Sequence, residues 1–212
     1  MAVFAVVPVK RLSVSKRRLS GVLNPQERKV LTLAMLEDVL SALKSSVVQN
    51  VVVASNDPLV YQVAVKFGVS YSSVAGGGLN AAVGEATEWC VKRGAGSVLL
   101  LPADIPMLSF KDVNSIVALG IETSSVVLSP SLNGGTNALF QNPPNLIPAC
   151  FGPKSFAKHV KEAHHKSLRV KFYCSVGIVA DVDLAEDLKR LLDIQNSTRS
   201  RRFLEQVGFW VR

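Results

Sequence analysis

The chain has 212 residues, 48% of them hydrophobic and 19% charged, with a formal net charge of +8 at pH 7. That length and apolar content allow one full core and exclude a disordered chain, and the apolar runs fall short of the about 20 residues that cross a bilayer. The positive charge points to anionic partners: nucleic acid, an anionic membrane surface or phosphorylated small molecules.

Residues 2–7 form an apolar run that reads as a buried first strand. In MAVFAVVPVKR the basic residues follow the apolar run, the reverse of a secretory leader, so a cytoplasmic protein is expected. Next comes PVKRLSVSKRRLSGVLNPQ, a loop carrying Lys10, Arg11, Lys16, Arg17 and Arg18. A helix follows, with Asn24 as N-cap, Pro25 at the first helical position and Glu27 at N3. Val30, Leu33, Ala34, Leu36, Val39, Leu40 and Leu43 are its expected apolar stripe. Residues 47–54 read as a second strand, VAGGGLNAAV (74–83) as a glycine loop entering a helix over 79–93, and 97–101 as a further strand. From about residue 124 the pattern is less regular, and VVLSPSLNGGTNALF and SLRVKFYCSVGIVADVD read as strands of a mixed region. A helix beginning after Asp183 turns Leu184, Leu188, Leu191 and Leu192 inward, and 197–212 reads as a basic, aromatic extension that packs on the body or on a second subunit. The alternation predicts an α/β fold, a mixed, mostly parallel central sheet flanked by helices, in one domain over 1–212. Cys90, Cys150 and Cys174 lie far apart with no CxxC pair, which predicts reduced, mostly buried thiols and neither a zinc site nor a disulfide framework.

Ligands of open α/β sheets bind beyond the carboxyl ends of the strands, beside helix N-termini. Three stretches lie at such places. The basic loop can gather Lys10, Lys16 and Arg18 around a triphosphate, or it is simply a solvated basic run. LLLPADIPML (99–108) places Asp104 at a strand end between two stiffening prolines, as a ligand for Mg²⁺ or as a turn aspartate. VADVDLAEDL (179–188) places Asp181 and Asp183 on one side of an extended backbone, although Asp183 with Glu186 also fits a capping box. No GxxxxGK[ST], HExxH or GxSxG occurs, and His164 and His165 are adjacent, a poor metal pair.

PVKRLSVSKRRLSGVLNPQER, GGLNAAV, LLLPADIPML, GGTNALF, FGPKSFAKH and DVDLAEDL, in that order, resemble the successive motifs of the 2-phospho-L-lactate guanylyltransferases, the CofC-type enzymes of coenzyme F420 biosynthesis. The resemblance runs from about residue 2 to residue 192, and the tail after 197 matches none of these motifs. It implies a Rossmann-like nucleotidyltransferase fold of glycosyltransferase-A type. It also implies transfer of GMP from GTP to 2-phospho-L-lactate, with Mg²⁺ as cofactor. By resemblance, Lys16 and Arg18, with Lys10, bind the triphosphate, and Asp104, Asp181 and Asp183 hold the metal. Gly78 and Asn80 lie against the nucleoside, and Thr136, Gly152 and Ser155 hold the acceptor, with His159 nearby. Lys16→Ala is then expected to cut turnover and leave stability almost unchanged. Phosphoenolpyruvate, 3-phosphoglycerate or a sugar phosphate are alternative acceptors, and a homodimer is plausible. A nucleic-acid-binding module is the rival from another class. Strand-end carboxylates repel phosphate backbones and the basic loop lacks interleaved aromatics, so neither nucleic acid nor membrane is expected as a partner.

Overall fold

The computed structural model describes residues 2–122, 124–194 and 197–209. Among them, seven strands form one sheet: β1 (Val3–Pro8), β2 (Asn50–Ser55), β3 (Ser70–Ser73), β4 (Ser97–Leu100), β5 (Ser125–Pro130), β6 (Thr136–Asn142) and β7 (Arg169–Phe172). Their order across the sheet is β3-β2-β1-β4-β6-β5-β7. Only β6 runs against the rest, pairing antiparallel with β4 and β5. The expected mixed, mostly parallel sheet is therefore present. β1 and β4 are parallel neighbours whose chains leave in opposite directions, β1 toward β2 and β4 toward the β6 side. That divergence opens a crevice beyond their carboxyl ends.

Alternation along β1 divides the core. Val3, Ala5 and Val7 pack with α1 (Pro25–Lys44), α2 (Pro58–Phe67) and α4 (Phe110–Gly120). Phe4 and Val6 face α3 (Leu79–Val91) and α5 (Ser155–His165) on the other side. A third cluster joins Leu19 and Leu23, beneath the basic loop, to Leu31 and Met35 of α1, to α7 (Ala185–Asp193) and to α8 (Arg199–Gln206).

The N-terminus of α1 forms as its sequence predicts: Asn24 accepts from the N–H groups of Gln26 and Glu27, and the Glu27 carboxylate accepts from Asn24 N–H. Its stripe differs from the one expected. Val30 is exposed while Leu31 and Met35 are buried, because α1 is covered on a second side by α7 and α8. Val176–Val179, read as strand, is instead a short helix (α6), and residues 180–184 belong to no regular element. Of the three cysteines, which are free, Cys90 alone is buried; Cys150 is half-buried and Cys174 exposed. Helix α8 lies against α1 of the same chain, held by Asp38, whose carboxylate accepts from the N–H groups of Arg199 and Ser200 and from the Ser200 hydroxyl. The last part of the expected extension, 210–212, lies outside the described residues. Among the described residues, no helix is long and apolar enough to cross a membrane.

Candidate active site

The basic loop is not a free solvated run. Leu12 and Leu19 are buried, the Leu12 N–H donates to Asp57 at 2.9 Å, and Ser15 Oγ donates to the Leu12 carbonyl. These anchors turn Lys16 inward. Its backbone is left-handed, φ 49° and ψ 38°, a conformation that costs a non-glycine residue about 1 kcal/mol or more and tends to persist at functional sites. Its side chain is 7% exposed, and its Nζ donates to Asp104 Oδ2 at 2.6 Å and to Asp183 Oδ1 at 2.8 Å. Arg18, at 72% exposure, reaches Asp183 at 3.9 Å from the rim. Lys10, Lys16, Asp104 and Asp183 thus share the wall of one cleft of about 250 Å³, which Leu79 and Phe151 also line.

The two aspartate-bearing segments are fastened to each other. The Val182 N–H donates to the Asp104 carbonyl at 2.9 Å, and Gly177 passes so close to Met107 that a Cβ there would lie 2.5 Å from the Met107 carbonyl oxygen. Asp183 does not cap the following helix. Asp187 accepts from the N–H groups of Asp183 and Leu184 in its place, which leaves the Asp183 carboxylate to Lys16. The expected Asp183–Glu186 capping box is therefore corrected, since α7 starts at Ala185 and its N3 residue is Asp187.

Burial alone would depress the Lys16 ammonium, but the charges and hydrogen bonds of Asp104 and Asp183 outweigh it and hold its pKa above the ordinary value. Burial likewise pushes Asp183 up, and Lys16, Arg18 and Lys10 overcome it and hold that carboxyl below the usual range. Among the described residues, Asp181 has no ion-pair partner of this kind. Burial first, and the neighbouring Asp104 carboxylate second, raise its pKa against a bond from Asn137 Nδ2 at 3.3 Å. Asn137 is the residue that sequence reasoning passed over. It lies beside Thr136 in the quoted Gly-Gly-Thr-Asn run, and its amide also donates to the Ile178 carbonyl at 2.8 Å. Among the described residues, no three potential ligands are gathered into a preformed metal cage. The donor set nonetheless suits Mg²⁺, which takes one or two carboxylates and fills its other positions with phosphate oxygens and water.

The other predicted residues divide into two groups. Gly78, φ 91°, opens α3 just before Leu79. Asn80 is bound to the neighbouring loop: its Oδ1 accepts from Phe151 N–H at 2.8 Å and its Nδ2 donates to the Phe151 carbonyl at 3.2 Å. It thereby ties α3 to the loop bearing Gly152, where φ is 125°. Thr136, Ser155 and His159 form a separate buried cluster one strand away. His159 is 0% exposed and lies behind Thr136, so it does not meet the cleft. Burial, then the nearby Lys158 charge, pushes its pKa down to about 4.

The family profile described as "Guanylyl transferase CofC like" matches residues 3–212. A phosphoenolpyruvate guanylyltransferase of Rubrobacter xylanophilus is 41% identical over 192 residues, covering 90% of this chain and 94% of that protein. A 2-phospho-L-lactate guanylyltransferase of Methanothermobacter thermautotrophicus is 34% identical over 213 residues, covering 100% of this chain and 94% of that protein. Among solved structures, a nucleotidyl transferase from Methanothermobacter thermautotrophicus superposes with a TM-score of 0.70 at 15% identity, over 97% of this chain and 99% of that one. That likeness gives the fold, a nucleotidyltransferase fold. With its motifs, its cleft and these relatives in agreement over nearly the whole length, the chain belongs to the CofC-like guanylyltransferase family.

Proposed function

We propose that the protein transfers GMP from GTP to the phosphate of 2-phospho-L-lactate. The products are lactyl-2-diphospho-5′-guanosine and pyrophosphate, a step toward coenzyme F420. The observation that carries this reading is the buried Lys16 ammonium, held between carboxylates of two other segments at the carboxyl ends of β1 and β4. A phosphate oxygen of the acceptor attacks the α-phosphorus of GTP and pyrophosphate departs from the opposite side. The nucleophile is already ionised at neutral pH, so no base is needed. A histidine kept neutral and buried fits that chemistry. Lys16, Arg18 and Lys10 bind the triphosphate and stabilise the charge that gathers on the departing pyrophosphate. Asp104 and Asp181, with Asp183, are the residues that would hold Mg²⁺, which when bound neutralises charge on the transferring phosphoryl group. Gly78 lies toward the nucleoside, and Thr136, Gly152 and Ser155 toward the acceptor.

A second reading takes phosphoenolpyruvate as the acceptor. It is favoured by the 41% identical relative that carries that name. Both acids present a phosphate and a carboxylate on one carbon skeleton, so the same site can hold either. Pyrophosphate release with Mg²⁺ decides between them, measured with GTP, ATP or CTP against each acid in turn. Release with GTP and phospholactate supports the first reading, and release with GTP and phosphoenolpyruvate alone replaces it with the second. Silence with GTP and every phosphorylated acid would sink both.

A further inference from the structure

Both ring nitrogens of the buried His159 are engaged. The backbone N–H of Cys150 donates to Nε2 at 2.9 Å. An amide N–H can only donate, so Nε2 carries no proton and Nδ1 carries it. Nδ1 lies 2.9 Å from Thr136 Oγ1 and therefore donates to that hydroxyl. Ser155 Oγ lies 3.2 Å from the same oxygen.

The protons can be counted. Two hydroxyls share one hydrogen bond and receive one N–H from the ring. Whichever hydroxyl donates to the other, one O–H proton has no acceptor within the cluster and must be donated outward. The opposite tautomer would reverse this. With Nδ1 bare, Thr136 would donate to the ring and Ser155 to Thr136, and only lone pairs would face out. An anion would then be repelled.

We infer that His159 is a positioning residue whose tautomer, imposed by the Cys150 amide, makes the Thr136–Ser155 pair an obligate hydrogen-bond donor toward an anionic oxygen of the acceptor. The inference rests on the guanylyltransferase reading above for the identity of that anion, a carboxylate or phosphate oxygen. Its surroundings suit the role. The Phe151 ring packs edge-on against the imidazole at 5.1 Å between centroids, and the neighbouring charge, Lys158, is positive and disfavours a second ring proton. The same Cys150 bond ties His159 to the loop that bears Gly152, so ring tautomer and loop position are fixed together.

Two measurements test it. The first is the two-bond ¹H–¹⁵N spectrum of the full chain without substrates, between pH 5.5 and 8. The His159 Nδ1 is expected at a protonated, pyrrole-like shift and Nε2 at a bare, pyridine-like shift throughout. A reversed assignment or a doubly protonated ring would overturn the inference, whatever reaction the protein catalyses. The second is calorimetric binding of phosphoenolpyruvate and of 2-phospho-L-lactate, together with steady-state kinetics if turnover is found. Thr136→Val and His159→Gln are expected to weaken acceptor binding by about 10- to 100-fold and to leave the GTP KM within about twofold. His159→Asn, whose carboxamide can donate from the Nδ1 position, is expected to recover about tenfold of that loss. Unchanged acid binding in Thr136→Val, or an Asn variant no better than Gln at equal thermal stability, would refute the donor role. Correct tautomer and binding without GMP transfer would instead refute only the functional reading.

Discussion

At Lys16, burial changes what a substitution should do. Read from the sequence, the residue is a triphosphate-binding loop lysine whose loss is expected to cut turnover and spare stability. In the fold its ammonium separates two carboxylates, so Lys16→Met leaves Asp104 and Asp183 facing each other with only the more distant Arg18 and Lys10 charges beside Asp183. Both carboxylates keep some solvent, which discounts the cost to about 1–2 kcal/mol. Thermal denaturation should therefore shift down by about 2–6 °C, and turnover should fall by about 100-fold or more. An unshifted midpoint would show that the bridge carries no net stability. His159 makes a second prediction, for pH. Its folded pKa is about 4, against about 6.5 unfolded. Above pH 6.5 both states are neutral at this ring and its full contribution is present. As pH falls toward 4 the unfolded chain takes up a proton that the folded ring refuses, and roughly 3 kcal/mol is lost. Asp38 and Asp181, raised by burial, act in the opposite sense in acid, so the informative quantity is the wild-type urea stability minus that of His159→Asn. That difference should shrink from pH 7 to pH 4.5; a constant difference would contradict the neutral, buried assignment.

Elements were legible where local chemistry alone decides them. Asn24, Pro25 and Glu27 mark the start of α1 without help from the rest of the chain. The apolar runs of β1, β2 and β4 declare buried parallel strands, and Asp104 falls just beyond the end of β4 as its sequence context implies. β3, with the sequence SYSS, has no apolar alternation to show, because it is a short edge strand paired with β2 alone. Val176–Val179 has strand-like composition, yet the close passage of Gly177 against Met107 fixes it as a helical turn. Gly177→Ala should therefore push the Asp104 loop away from the Asp181–Asp183 segment. Its kcat/KM is expected to drop by about 10-fold with a smaller effect on folding, and full activity would show that the two segments tolerate separation. The bonds of Asp38 to α8 were equally invisible, since they join residues at opposite ends of the sequence. Asp38→Ala should cost about 1–2 kcal/mol, and hydrogen exchange should show 199–206 opening while the amides of β1 stay protected. Simultaneous loss of protection in β1 would mean that α8 is part of the global unfolding unit.

Across the whole molecule, the crevice cations Lys10, Lys16 and Arg18 are set against Asp104, Asp181 and Asp183, so the net charge of +8 resides outside the crevice. The divergence of β1 and β4 makes that crevice, and the antiparallel β6 brings Thr136 and Asn137 to the same edge as the parallel strand ends. The sequence motifs named most of the participants. It could not show that Asn80 holds Phe151 or that His159 stands behind Thr136, because those roles depend on which side chains meet across 71 and 23 positions of chain.

Lys16 meets Asp104 across 88 positions and Asp183 across 167. Contacts so distant in sequence form late, after the loops between them have closed. During synthesis α1 and β1 to β6 have emerged before the second carboxylate leaves the ribosome, so a nascent chain can hold most of a sheet before its crevice is complete. Refolding in the test tube is expected to follow the same order. Helical circular dichroism should return before pyrophosphate release does, and the interval between them is the time the chain spends waiting for its two ends to meet at one lysine.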